Sequence, residues 1–256
     1  MFSSDCSKDA FKKYASNYKP EDPKVALKIA HTYRVADMSY RIANSIGLND
    51  DDRELAWLIG LLHDIGRFEQ IRRYHTFTDS ESCNHAELSA DILFKDNLIR
   101  SFTDDPANDT LIEKAIRLHN RFELPADLSE RERTFSTILR DADKVDIFRV
   151  NCDTPIEDIY DYTTEQFKSS ALSDIVYETA LSHQNVKSCF VVTPADIIVA
   201  HICLVFGLVY SLSFRMTKEQ GYLDHMMQFA SDNTETQSKL AHFYKEVRQF
   251  VDSSCS

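Results

Sequence analysis

The sequence has little of what builds a β-sheet protein or a membrane protein. It contains five glycines and six prolines in 256 residues, too few for an architecture of many short strands joined by turns. Its longest apolar run, IIVAHICLVFGLVY at 197–210, includes His201 and is shorter than the roughly 20 residues that cross a bilayer. We therefore expect no membrane partner, and we interpret this run as a buried core helix with His201 in the core.

The cysteines do not form a recognisable framework. No two of them have CxxC spacing, and the first residues do not have the pattern of a signal peptide. These features favour free thiols in a reducing compartment, and we expect a cytoplasmic protein. The six residues are Cys6, Cys83, Cys152, Cys189, Cys203 and Cys255.

Positive charge is also scarce. Lysine and arginine number 29 against 41 aspartates and glutamates, which gives a net charge of −12. Such a surface repels a long nucleic acid. A small anionic substrate remains compatible with it, since a metal ion or a local arginine cluster dominates the field at short range. The sequence does not determine the oligomeric state.

Helical periodicity is present along most of the chain, which predicts an all-α fold. Asn49 or Asp50 is expected to cap the second helix, and Gly66 is expected to end it in a left-handed conformation. Residues 67–83 show no sustained period and are predicted to form an ordered loop. The predicted helices are 25–46, the segment from about 50 to 64, 84–97, 109–121, 130–150, 156–170, 171–183, 195–214, 216–231 and 234–252.

Ionisable residues interrupt the apolar faces of several of these helices. His31 shares a face with Val35 and Ile42, and the pair His63-Asp64 ends an apolar stripe. A single inward histidine is usually a hydrogen-bonded core residue. His119 also lies on an apolar face, and His85 lies at the start of a helix. The further inward carboxylates are Asp141, Asp143 and Asp146.

Taken together, these groups are difficult to explain as core residues. Several imidazoles and carboxylates on different helices are costly to bury unless they share a cation. Mixed nitrogen and oxygen ligands suit Mn, Fe, Co, Ni or Zn better than Ca. We therefore expect a transition-metal site opposite His63 and Asp64.

The order of these residues resembles that of the HD-domain metal-dependent phosphohydrolases. The similarity comprises His31 in HTYRV, His63-Asp64 in LLHDIGR and an aspartate in DADKVD. It implies an HD-domain helical bundle over residues 20–150. Beyond it the helical pattern continues without a low-complexity linker or repeat, so we expect residues 151–256 to be a helical extension packed on the bundle in one compact unit. The resemblance also selects Asp143 as the late ligand, a choice that periodicity alone leaves open between Asp143 and Asp141.

Two further histidines lie where binuclear members of the superfamily have extra ligands. They are His85 in NHAE and His119 in RLHN. The resemblance implies that His31, His63, Asp64 and Asp143 hold one ion, and that Asp64 bridges to a second. The alternative is that His85 is merely an N-terminal helix residue and that His119 belongs to the core.

Charged residues near these motifs are candidates for substrate binding and proton transfer. Arg67 and Lys144 could bind a phosphate, and Arg34 could reach the site from one turn beyond His31, although such residues are often solvated or paired with acids. Glu69 and His75 are candidate proton donors to the leaving group.

The resemblance implies an enzyme that hydrolyses a small phosphate ester through a metal-activated hydroxide. A phosphomonoester such as a nucleotide is the expected substrate, ahead of a phosphodiester. Two alternatives remain: an HD-fold oxygenase that uses two irons, which needs the same ligands, and a catalytically silent ligand sensor.

Overall fold

The structure is a computed structural model that describes residues 4–154 and 162–255. These residues form helices and no strand, which confirms the all-α fold class. Short 3₁₀ helices occur at Asp79–Glu81, Leu98–Ser101, Pro106–Asn108, Ser188–Phe190 and Cys203–Gly207. The α-helices are α1 (Ser4–Ala15), α2 (Pro23–Ser45), α3 (Asp50–Leu62), α4 (Ile65–Tyr74), α5 (His85–Phe94), α6 (Asp109–Leu118), α7 (Glu130–Asp153), α8 (Thr164–Ser169), α9 (Asp174–Leu181), α10 (Pro194–Ile202), α11 (Ser211–Gln220), α12 (Tyr222–Met226) and α13 (Thr234–Ser254).

The chain divides into two compact units, Met1–Asp143 and Lys144–Ser256. The boundary lies within α7, so α1 to α6 and the first part of α7 belong to the first unit. The domain bounds expected from the sequence, 20–150 and 151–256, stay a prediction.

The pair α2 and α3 forms the largest helix–helix contact of the first unit. The two backbones approach so closely that a Cβ added at Gly60 would lie 2.7 Å from the Cα of Ala36. The predicted cap of α3 is confirmed, since the Asn49 side chain accepts from the backbone nitrogen of Asp52. Asp22 caps α2, with Pro23 in its first turn. The inward face of α2 that contains His31 is buried as expected.

The region after α3 differs from the prediction. Gly66 does not end a helix in a left-handed conformation, because it lies inside α4. A Cβ at Gly66 would lie 2.6 Å from the backbone nitrogen of Ser89 and 2.9 Å from the backbone oxygen of His85. The glycine is therefore needed for the close approach of α4 and α5.

The predicted loop at 67–83 is also wrong in its first half, which forms α4. The buried face of this 10-residue helix includes the polar residues Glu69 and Gln70, which obscure the apolar period. Tertiary contacts stabilise it, since Phe68 is buried against the rings of Phe11, Tyr14 and Tyr18. Two of these aromatic residues, Phe11 and Tyr14, belong to α1, a helix that the sequence analysis did not predict.

In the second unit, the apolar run at 197–210 is not one helix. Helix α10 ends at Ile202, a 3₁₀ helix follows, and Val209 is 63% exposed. The single helix predicted at 195–214 is therefore wrong. The predicted helix at 216–231 is divided between the end of α11 and the short α12, because Gly221 takes a left-handed conformation with φ of 73° and ends α11.

The other helices predicted for the second unit agree better with the structure. The predicted helices 171–183 and 234–252 correspond to α9 and α13. The helix predicted at 156–170 begins outside the described residues, and its second half corresponds to α8. All six cysteines are free. Among the described helices, none combines the length and the apolar character that a membrane crossing requires.

Candidate metal centre

The first group of candidate ligands comes from three places in the first unit. His31 lies on α2, His63 directly follows α3, and Asp143 lies on α7. The Oδ1 atom of Asp143 is 3.2 Å from His31 Nε2 and 3.8 Å from His63 Nε2. Asp143 belongs to the groups of side chains that could share an ion, which supports its choice over Asp141.

Asp64 joins this group to a second one. Its Oδ2 atom is 3.6 Å from His31 Nε2 and 3.5 Å from His63 Nε2. Its Oδ1 atom is 3.7 Å from His85 Nε2 and 3.9 Å from His119 Nε2. The two carboxylate oxygens thus face different pairs of imidazoles, which is the arrangement that a bridging ligand needs.

The second group is completed by the contact between His85 and His119. Their Nε2 atoms are 3.0 Å apart, although His85 begins α5 and His119 directly follows α6. Both side chains are almost fully buried. All six residues predicted as metal ligands therefore come together in one cluster.

Burial favours the neutral form of three imidazoles of this cluster. Desolvation lowers the pKa of His63, and it lowers the pKa of His85 and of His119 to about 4. Burial alone would raise the pKa of Asp64, but the neighbouring charges of Lys28 and Arg67 hold it well below its usual range. Neutral imidazoles and an ionised carboxylate are the protonation states that bind metal ions.

Hydrogen bonds on the opposite ring nitrogens orient three of these imidazoles. His63 Nδ1 lies 2.7 Å from the Gly60 carbonyl oxygen, and His119 Nδ1 lies 2.7 Å from the Ile116 carbonyl oxygen. His85 Nδ1 lies 2.7 Å from Asp79 Oδ2. An Nδ1–H donated to each acceptor leaves the lone pair on Nε2, which in all three residues is the atom that faces the cluster.

The donor set fits one or two divalent transition-metal ions. Ligand atoms about 2.1 Å from a shared ion lie roughly 3.0–3.4 Å apart at right or tetrahedral angles, close to the separations found here. His63 Nε2 and Asp64 Oδ1 are buried and have no hydrogen-bond partner among the described residues. Buried polar atoms of this kind require a ligand, and a metal ion supplies one to both.

Arg67 has a different environment from the one expected of a phosphate ligand. Its NH1 atom donates to Gln70 Oε1 at 2.7 Å, to the Phe77 carbonyl oxygen at 2.5 Å and to Asp79 Oδ1 at 3.1 Å. Its Nε atom lies 3.7 Å from Asp64 Oδ1. These contacts within the protein favour a structural role, and its roles in catalysis and in substrate binding stay predictions.

The two candidate proton donors lie on or next to α4. Glu69 is bound by Arg72 and Arg73, whose hydrogen bonds lower its pKa to about 2. A carboxyl group with this pKa is ionised near pH 7 and is a poor proton donor. His75 is exposed and ends α4 with a left-handed backbone conformation. Both roles stay predictions.

The other two candidates have environments that leave their roles open. Lys144 donates from Nζ to the Gly207 carbonyl oxygen at 2.6 Å, a contact within the second unit. Arg34 is half-buried on α2. Substrate binding by these residues, and catalysis by Lys144, stay predictions.

Two residues of the cluster were not found from the sequence. Lys28 is buried on α2, and its Nζ atom lies 2.6 Å from Asp64 Oδ2. Its position one turn before His31, at i−3, is the only signal that could have indicated it. Asp79 contacts both His85 and Arg67. It lies in the 75–84 segment, where no periodicity indicates the direction of a side chain.

Comparison with known families identifies this region. Residues 29–148, slightly less than half of the chain, match the family model described as "HD domain". The match contains all six candidate ligands and confirms the resemblance noted from the sequence. Neither the curated proteins nor the solved structures yielded a match to the chain.

Proposed function

Since residues 29–148 form an HD domain, we propose that this protein is a metal-dependent hydrolase of small phosphate esters. A phosphomonoester such as a nucleotide is the proposed substrate. The observation that carries the proposal is the convergence of His31, His63, Asp64, His85, His119 and Asp143 in one cluster, in which all but the partly exposed Asp143 are buried. We place the reaction in the cytoplasm, because six free thiols are typical of a reducing compartment.

The proposed cofactor is one or two divalent ions of Mn, Co, Ni, Fe or Zn. His31, His63, Asp64 and Asp143 would hold the first ion, and His85, His119 and Asp64 the second. Bound there, an ion supplies Lewis acidity and lowers the pKa of a coordinated water. The protein contributes neutral imidazoles, two ionised carboxylates and an apolar surrounding that keeps them in place.

The positive side chains beside Asp64 support an anionic substrate. Lys28 and Arg67 both approach this carboxylate, and both lie over the ring of Phe77, at 5.4 Å and 5.6 Å from its centroid. They place two positive charges beside the carboxylates of the cluster, in a chain whose net charge is negative. A small phosphate ester can be attracted to such a site, whereas a long nucleic acid would also meet the negative surface around it.

The test is reconstitution of metal-free protein with Mn, Co, Ni or Mg, followed by assays for phosphate release from a panel of phosphomonoesters and phosphodiesters. We expect phosphate release with at least one metal, and a loss of about two orders of magnitude or more in Asp143→Ala. His242→Ala removes an exposed histidine of the second unit and should leave the rate unchanged. Oxygen uptake by the iron-loaded protein without phosphate release would refute the proposal.

A further inference from the structure

We propose that Asp79 is a positioning residue that orients His85 and thereby sets the affinity of the second metal ion. Its Oδ2 atom lies 2.7 Å from His85 Nδ1, on the side of the ring opposite to the cluster. An Nδ1–H donated to this carboxylate places the His85 lone pair on Nε2, toward Asp64 and His119. The inference rests on the proposed two-ion site.

His85 needs such a partner because it is the first residue of its helix. His63 and His119 follow the last turns of α3 and α6, and each hydrogen-bonds through Nδ1 to a carbonyl three residues earlier. Three residues before His85 the chain is not yet helical, so no helical carbonyl is available for the same contact. A side chain from another segment therefore has to fix the ring.

Hydrogen-bond donors contact both oxygens of the Asp79 carboxylate and fix its position. Its Oδ1 atom accepts from Arg67 NH1 at 3.1 Å and from Gln70 Nε2 at 3.0 Å, both on α4. Asn120, the residue after His119, approaches Oδ2 with its Nδ2 atom at 3.4 Å. The carboxylate thus connects the helix after Asp64 with His85 and with the residue next to His119.

Asp79 also affects the electrostatics of the second ligand group through its contact with Arg67. The Arg67 Nε atom is 3.7 Å from Asp64 Oδ1, and its NH2 atom is 3.4 Å from His85 Nε2. The charge of Asp79 offsets this guanidinium. Without Asp79, this guanidinium would keep only Asp64 as a carboxylate partner and would lie beside a ligand atom of the second ion, while His31, His63 and Asp143 would keep their surroundings.

The experiment compares wild type with Asp79→Ala, Asp79→Asn and Asp91→Ala by calorimetric titration of metal-free protein with Mn²⁺. Asp91 is a matched control, because it lies on α5 with His85 and binds Lys95 and Arg117 instead. We expect the dissociation constant of the second ion to rise about 10- to 100-fold in Asp79→Ala. The first ion should bind within about threefold of wild type, and Asp91→Ala should match wild type for both ions.

The conservative variant and a spectroscopic measurement guard against a general loss of structure. Asp79→Asn keeps an oxygen acceptor but loses the charge, so we expect a weaker effect than in Asp79→Ala. In metal-free protein, ¹⁵N shifts of His85 should report one tautomer protonated on Nδ1 in wild type and a mixture in Asp79→Ala. If the ¹⁵N shifts of His85 are the same in Asp79→Ala as in wild type, Asp79 does not orient His85.

The outcomes separate this inference from the proposed function. A wild-type protein that binds a single ion, or an Asp79→Ala variant that binds two ions with wild-type affinity, would overturn the role of Asp79 even if phosphate esters are hydrolysed. If Asp79→Ala loses only the second ion while no ester is hydrolysed by wild type, the role of Asp79 stands and the proposed reaction fails.

Discussion

At the scale of single residues, the pair of Lys28 and Asp64 dominates the electrostatics of the candidate metal centre. Both side chains are buried, and their charged atoms lie 2.6 Å apart. Removal of one partner from a buried ion pair leaves the other charge without compensation and costs about 3–5 kcal/mol. Because Lys28 lies beside a candidate metal ligand, the free-energy cost of removing it should be smaller when a metal ion is bound.

We expect Lys28→Met to lower the melting temperature strongly in metal-free protein. Added Mn²⁺ should restore more stability to this variant than to wild type, because the ion replaces the missing positive charge beside Asp64. Differential scanning calorimetry with and without the metal measures both effects. Lys24→Met changes an exposed lysine of the same helix and should show the wild-type response. An equal metal-induced shift in the Lys28 and Lys24 variants would contradict this prediction.

At the scale of elements, the close packing of α4 on α5 positions the second ligand group. Gly66 permits this contact, since a Cβ there would lie within 3 Å of backbone atoms of both Ser89 and His85. Backbone atoms cannot rotate away as a flexible side chain can, so a larger residue must push the helices apart. His85, as the first residue of α5, would move with its helix.

Gly66→Ala should therefore destabilise the protein by about 1–3 kcal/mol and weaken the second ion more than the first. Urea denaturation and Mn²⁺ titration measure the two effects. The matched control is Gly47→Ala: Gly47 has a φ of 76° and nothing within 4 Å of an added Cβ. That variant should lose about 1–2 kcal/mol through backbone strain alone and keep both ions. Unaltered metal binding in Gly66→Ala would show that α5 tolerates the displacement.

At the scale of the whole molecule, all six candidate ligands belong to the first compact unit, Met1–Asp143. A metal ion that binds only the folded state stabilises it by about 2.7 kcal/mol at a concentration 100 times its dissociation constant. The ligands come from five segments of this unit, so the gain should extend over its helices.

We expect chelation by EDTA to increase hydrogen exchange in α2, α3, α5 and the first half of α7, and added Mn²⁺ to reverse the change. Peptides from α9 and α13, in the second unit, should change less. Mass spectrometry of exchanged peptides measures this distribution. A variant with both His85→Ala and His119→Ala should bind about one ion and retain protection in α2 and α3. If added metal slowed hydrogen exchange equally in both units, the result would contradict a metal site confined to the first unit.

The sequence determined the fold class and supplied the candidate ligands. Long helices such as α2 and α7 have enough residues for their period to be read, and His31, His63, Asp64 and His119 stand out because ionisable groups are rare on apolar faces. The resemblance to the HD-domain proteins selected Asp143 over Asp141 and added His85 to the candidates. The inference of a metal also needed no coordinates, since the cost of burying charge follows from composition and periodicity.

Only the tertiary structure decided how the site is held. Helix α4 buries the polar Glu69 and Gln70 and is stabilised by aromatic residues of α1, so its sequence shows no clear apolar period and suggested a loop. Gly66 serves the approach of two helices, a requirement set by a residue 23 positions away. Lys28 contacts a ligand 36 positions away in the chain. Asp79 contacts His85 from a segment without periodicity. Contacts of this kind depend on where helices meet, and local sequence patterns contain no information on that.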